Sequence, residues 1–415
     1  MNRRTLLSSS LFGLTALPAR AADAPPLPDP ALRATDADKY WQRIREEQFF
    51  LPEWRSFLNN GSLGVPPRPV IAAVEEALRK GAALISDEYP RWGYETLDAE
   101  RQEMADFLGC KKDELAFTHN ATEALSVIAN GIDLNSGDEV LMTNLEHVSG
   151  QSGWALRKAR HGITVREVEI PLPPKSAEQL AEVMISAIGP KTKVLFFSGI
   201  ISPMGILMPV RQICDAARAK GVITVVDGAH MNGQVPLKLS ELGCDYYAGS
   251  PHKWMFAPAG CGILYIREEN LDRLWPAVVT GGWDDKNAKA ARFMKIGTNN
   301  RAIIAGMMAG LRFLKTLGPE NVYARIHSLA RQYYAQAERR PHLEVFSSAD
   351  DRLYGSLVTI GFRGAKLNEL WTKARERKIW IYGAERLRLA AHVHTRPRDI
   401  EAFFALTDEV FGKKG

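Results

Sequence analysis

The 415-residue chain is 46% hydrophobic and 24% charged, enough apolar material for a large core in two or three domains, which excludes a disordered or fibrous protein. A formal net charge of +5 without a block of like charge gives no footing for nucleic acid. Cys110, Cys214, Cys244 and Cys261 lie far apart with no C-x-x-C spacing, so no metal site is expected and buried free thiols are.

The first residues, MNRRTLLSSSLFGLTALPARAADA, read as a targeting segment, with Arg3 and Arg4, an apolar stretch from Leu6 to Leu17, and Ala19-Arg20-Ala21 as a cleavage site. Residues 1–21 are therefore expected to be a signal peptide, too short in its apolar part to be a stable membrane anchor. Its Ser-rich, weakly apolar centre favours the twin-arginine export machinery over the general secretory route, although residues 2–7 match the twin-arginine pattern only in part. The expected destination is the periplasm, and the mature chain, lacking Arg3, Arg4 and Arg20, falls from +5 to +2. Residues 22–65 follow as a Pro-rich tether, an arm and a polar lead-in loop, Leu58-Asn59-Asn60-Gly61-Ser62-Leu63-Gly64.

From residue 66 to residue 295 helical periodicity alternates with short apolar runs, which predicts an α/β domain: a mostly parallel sheet with helices on both faces. The predicted strands are Glu139–Thr143, Thr164–Val168, Val194–Ser198, Val222–Asp227, Tyr246–Ala248 and Gly262–Ile266. Helices are predicted at Pro69–Lys80, Thr96–Leu108, Thr122–Asn130, Ala177–Ile188 and Pro209–Lys220. Residues 296–415 read as a smaller α+β domain, with helices at Ala302–Leu317 and Asn321–Arg339 and strands at Ser356–Phe362 and Leu387–Ala391.

Ligands of open parallel sheets gather at the carboxyl ends of the strands, and polar residues cluster there. Val225-Val226-Asp227-Gly228-Ala229-His230 ends an apolar strand on a carboxylate, and Ser250-Pro251-His252-Lys253-Trp254 places an amine after the next strand. A carboxylate and an amine at neighbouring strand ends suit the two ends of pyridoxal 5'-phosphate (PLP), whose aldehyde condenses with a lysine and whose ring nitrogen needs an acid partner. Its phosphate would want a helix N-terminus, which Ala121 and Thr122 offer in His119-Asn120-Ala121-Thr122-Glu123, although an ordinary helix cap reads the same way. His147, after the strand Glu139–Thr143, would supply a flat partner for the ring.

This ordered set, with Ser202-Pro203-Met204-Gly205 and Gly297-Thr298-Asn299, resembles the class V aminotransferases, which are fold type I PLP enzymes, and is most similar to the isopenicillin N epimerase-like branch. The resemblance implies Lys253 as the aldimine lysine, Asp227 at the pyridine nitrogen, His147 stacked on the ring, and Thr122, Ser250 and His252 on the phosphate side. It implies Ser202 near the ring hydroxyl and His230 among the cofactor contacts. Thr298 would reach the phosphate of the opposite subunit, so a homodimer with shared active sites is implied. On the substrate side it points to Arg388 for an α-carboxylate and to Asn60 and Ser62 in the lead-in loop. Arg386 lies on the same face of the strand as Arg388 and is not separated from it, and Ala390 departs from the family's usual Arg-x-Ser ending.

Cysteine desulfuration would need a nucleophilic cysteine in the C-terminal part, and none follows Cys261. Transamination, epimerisation or racemisation, and decarboxylation stay open, as does similarity to exported enzymes that tailor the side chain of a pyoverdine siderophore. A non-catalytic binding protein that keeps the fold is the reading of another class; the presence of Lys253, Asp227, Thr122 and His147 speaks against it.

Overall fold

A computed structural model describes residues 24–93, 95–363 and 367–412. The expected signal peptide and Tyr94 lie outside the described residues. Seven strands form the central sheet, ordered by their first residues Leu115, Gly262, Tyr246, Ile223, Thr192, Glu139 and Thr164. The five from Tyr246 to Thr164 pair in parallel. Gly262–Ile266 runs antiparallel to both its neighbours. The sheet is thus the mostly parallel α/β sheet expected. Glu139–Thr143, Thr164–Val168 and Gly262–Ile266 keep their sequence-derived bounds. The four-residue strand Leu115–Thr118 and the helix Val148–His161 were not foreseen.

The strands are apolar on both faces because helices cover both: Val194, Leu195, Phe196 and Phe197 are all fully buried. At roughly 1.5–3 kcal/mol for each large apolar side chain, such runs hold the sheet rigid beneath the site. A second core gathers Leu58 with residues between Leu329 and Val410 around the antiparallel sheet Leu343–Val345, Leu357–Phe362 and Arg386–Ala390. Ala302–Leu317 packs against Arg68–Ala83 and buries Met307, Leu311 and Leu314 in the larger core. Among the described residues all four cysteines are free, three of them buried, and no helix is long and apolar enough to cross a membrane.

Candidate active site

The register of the parallel strands sets the site. Ser198 lies opposite Asp227, and Asp227 opposite Ala248, so three strands end side by side. The chain leaving the last of them turns at Ser250 into the one-turn helix Pro251–Trp254 that carries Lys253. Beyond these ends lies a cavity of about 350 Å³, lined by Asp227, His230 and Lys253 and by Thr122, His147 and Arg388.

Asp227 is buried; its Oδ1 accepts the Ala229 N–H at 2.9 Å, and Oδ2 has no donor among the described residues. Burial pushes this carboxyl up, while the Ala229 N–H and the charges of Lys253 and His147 pull it back. Glu146, buried behind it, accepts from the hydroxyls of Thr143 (2.7 Å) and Ser198 (2.5 Å) and from the Ser198 N–H (3.1 Å). Burial nevertheless raises it to about 7, with Asp227 adding to the rise. Sequence reasoning gave Glu146 no role of its own; its place beside His147 was the only signal.

The Lys253 amine lies 2.9 Å from His230 Nε2, and the Trp254 indole N–H donates to His230 Nδ1 at 3.3 Å. An indole nitrogen only donates, so Nδ1 is an acceptor and the neutral ring carries its proton on Nε2. Burial, then the positive charges of Lys253 and Arg388, hold His230 well below its usual value, so the ring is neutral. When Lys253 is deprotonated, its lone pair accepts the His230 Nε2–H, which favours the uncharged amine. Burial, opposed by Asp227 and aided by Arg388, lowers the lysine to about 8. Cofactor uptake by the apoprotein is accordingly expected to climb with unit slope in pH and to level off above about 8. Trp254→Phe frees Nδ1 to take the proton and so removes the bond that stabilises the free amine. At about 1 kcal/mol for a hydrogen bond and 1.36 kcal/mol for each pKa unit, the inflection moves up by somewhat under one unit, read by stopped-flow absorbance.

The helix Ala121–Gly131 starts where the Asn120 side chain accepts the Glu123 N–H at 2.9 Å. Its first turn opens on the cavity. Thr122 is exposed there, with no hydroxyl partner among the described residues, and the Ala121 N–H reaches Ser250 Oγ at 3.4 Å. His252 gives its Nδ1–H to the Cys261 carbonyl at 3.1 Å, and its Nε2 has no partner among the described residues. His147 caps the helix Val148–His161, accepting the Ser149 N–H at 3.2 Å, with its ring exposed.

The structure separates the two arginines. Arg388 is 6% exposed and donates to Ser202 Oγ at 2.6 Å, Ser62 Oγ at 2.9 Å and Asn59 Oδ1 at 3.4 Å, while its Nε has no partner among the described residues. Burial lowers it to about 10, so it stays a cation at neutral pH. Arg386 is exposed and outside this cavity. Ser202, expected near the ring hydroxyl, anchors Arg388. Asn60 is a correction: it is fully buried, donates to the Lys253 carbonyl at 2.7 Å and meets His394 Nε2 at 3.2 Å, so it holds the lysine from behind instead of facing substrate. Thr298 is exposed beside Gly93 and does not line the cavity. Trp254 is core, and neither Trp92 nor Trp283 reaches the cavity; Tyr382, which sequence reasoning passed over, does.

The free Asp227 oxygen, the easily deprotonated Lys253 amine and the open helix turn match the ring nitrogen, aldehyde and phosphate of PLP, so the residues present fit that cofactor. The class-V aminotransferase family model matches residues 57–387. The chain is 36% identical to isopenicillin N epimerase of Amycolatopsis lactamdurans over 63% of this chain and 66% of that protein. With the Streptomyces clavuligerus enzyme of the same name it shares 28% over 90% and 99%. Among solved structures, the cystine C–S lyase C-DES superposes with a TM-score of 0.77 at 24% identity, covering 85% of this chain and 97% of that one. A lysine-to-alanine mutant of that lyase carries glycine linked to its PLP cofactor. Motif order, site geometry and the span of the family match agree: the chain belongs to the class-V aminotransferase family of fold type I PLP enzymes.

Proposed function

We propose that this protein is an exported PLP enzyme acting at the α-carbon of an amino acid or peptide-derived substrate that keeps a free α-amino group and α-carboxylate, in an aminotransferase-like reaction. The observation that carries the reading is that the Lys253 amine and the Arg388 guanidinium share one cavity with the buried Asp227 carboxylate. Bound there, PLP supplies an aldehyde for amine exchange and a ring that draws electrons from the α-carbon. In this reading Asp227 Oδ2 would partner the ring nitrogen and His147 would offer the ring a flat neighbour. The Ala121 N–H, Thr122, Ser250 and His252 would hold the phosphate. The planar Arg388 fork, fixed by Ser202 and Ser62, takes the α-carboxylate. Lys253, freed by substrate, would move the α-proton as a neutral base once its lone pair turns from His230 to the α-carbon.

Similarity to the two epimerases favours epimerisation as the second reading. Incubation of purified protein in D₂O with a panel of amino acids and a siderophore precursor separates the outcomes by mass spectrometry and the cofactor spectrum. A keto product with pyridoxamine phosphate supports transamination, and deuterated substrate of inverted configuration supports epimerisation. Carbon dioxide released from a peptide-bound acidic residue supports siderophore tailoring. The reading includes a homodimer in which Thr298 serves the neighbouring site. Thr298→Ala is expected to loosen the cofactor several-fold, measured by its release on dilution, with the melting temperature of the apoprotein unchanged. Arg3→Lys with Arg4→Lys is expected to leave the precursor in the cytoplasm, as fractionation would show.

A further inference from the structure

The cavity does not end at Arg388. Through His147, Ser202, Tyr382 and Arg388 it continues into a groove of about 660 Å³ whose far wall is Met204 and the segment Gly383–Arg386. Arg386 lies two residues before Arg388 on the same strand, on the same face, and both line this groove. Its guanidinium is fixed over the Phe346 ring at 4.0 Å, and Nη1 lies 3.9 Å from Met204 Sδ. That stacking holds the side chain in place while using none of its strong donors. Among the described residues no carboxylate or carbonyl accepts from it, whereas Arg45 and Arg166 are each tied to backbone carbonyls. The one acid at this end of the groove is Glu385, exposed at its lip and not in an ion pair with Arg386.

We propose that Arg386 is a second anion-reading residue and that the substrate is an α-amino dicarboxylate, with its α-carboxylate on Arg388 and a second carboxylate on Arg386. The proposal rests on the Arg388 assignment made above and adds the substrate class. The Cα atoms of positions two apart on a strand lie about 6.7 Å from each other, which sets the scale of the span two arginine side chains can bridge. An extended diacid of about five to seven carbons spans roughly 5–8 Å, from C–C bonds of about 1.5 Å. A guanidinium fork pre-oriented by stacking gains most from a planar, bidentate carboxylate, so a side-chain or C-terminal carboxylate suits it and a neutral side chain does not.

The test uses the cofactor-loaded enzyme and non-reacting acids: succinate, glutarate, adipate and pimelate against butyrate, pentanoate and hexanoate. Dissociation constants are read by calorimetry and by perturbation of the cofactor absorbance. Wild type is expected to bind glutarate or adipate about fivefold or more tighter than the matched monoacid, a charge-assisted pair on a partly open arginine. Arg386→Gln is expected to erase that preference while leaving monoacid binding unchanged, and Arg388→Gln to weaken both classes. No diacid preference in wild type, or a preference that survives Arg386→Gln, overturns the proposal and leaves the function reading standing. Monoacid binding indifferent to Arg388→Gln overturns the Arg388 assignment and this proposal with it.

Discussion

Lys253→Ala is expected to give a folded protein that cannot retain cofactor covalently and whose turnover falls by about 10⁴-fold or more, since nucleophile and proton carrier are lost together. Folding is spared because the bonds that shape this segment use its backbone: Asn60 Nδ2 and the Gly64 N–H donate to the carbonyls of Lys253 and His252. Removing the amine also removes a charge that burial disfavours, which costs the fold nothing. The unfolded chain holds its lysine proton to about 10.4, whereas the native amine releases it near 8. Between those values the unfolded state binds more protons, so wild-type apoprotein gains stability as pH rises from 8 to 10, and the alanine variant should lack this gain. Urea titrations at pH 7 and 9.5 compare the two. Absorbance before and after borohydride reads the cofactor. Wild-type protein that stays colourless after reconstitution would return the chain to the binding-protein reading.

Gly228→Ala is the largest expected effect on stability. A Cβ at this position would sit 1.9 Å from Tyr247 Cε2, 2.0 Å from Cζ and 2.3 Å from the hydroxyl oxygen. The ring cannot retreat: Tyr247 is fully buried in the next strand, and its hydroxyl donates to Asn232 Oδ1 at 2.8 Å with Gly228 O a further 3.1 Å contact. Overpacking ordinarily costs about 1–3 kcal/mol. A clash this deep against an immobile ring exceeds that range, at roughly 4 kcal/mol. Part of the strain would be relieved by moving the backbone that aims Asp227, so cofactor affinity should fall along with the denaturation midpoint. The same substitution at Gly281, which like Gly228 lies outside the left-handed region and whose Cβ would meet nothing within 4 Å, is the control for losing a glycine without a clash.

The central sheet was legible because its strands are short apolar runs bounded by polar turns, and their carboxyl ends carry the chemistry. Direction was less so: nothing in Gly262–Ile266 says that it runs against its neighbours, because direction depends on which way the preceding turn sends the chain. Leu115–Thr118 is too short to show a period, and its neighbour in the sheet lies far along the chain. At the site, residue type announced which side chains could hold the cofactor, while orientation waited for tertiary structure. Asn60 has the donors of a substrate ligand and spends them behind the lysine. Arg386 and Arg388 share a strand face, and only the lead-in loop and Ser202, distant in sequence, bury one and leave the other open. Tyr382 gave no signal, since an aromatic beside a glycine is common in loops.

Arg388 belongs to the sheet of the smaller core, Ser202 follows a strand of the larger one, and Ser62 sits in the loop between them. A molecule held by Arg388 at one end and Lys253 at the other is therefore a staple across a seam between two packing units. Its grip would be felt as mechanical coupling: with the seam stapled, the two cores should melt as one, and with it open the smaller core is free to give way first.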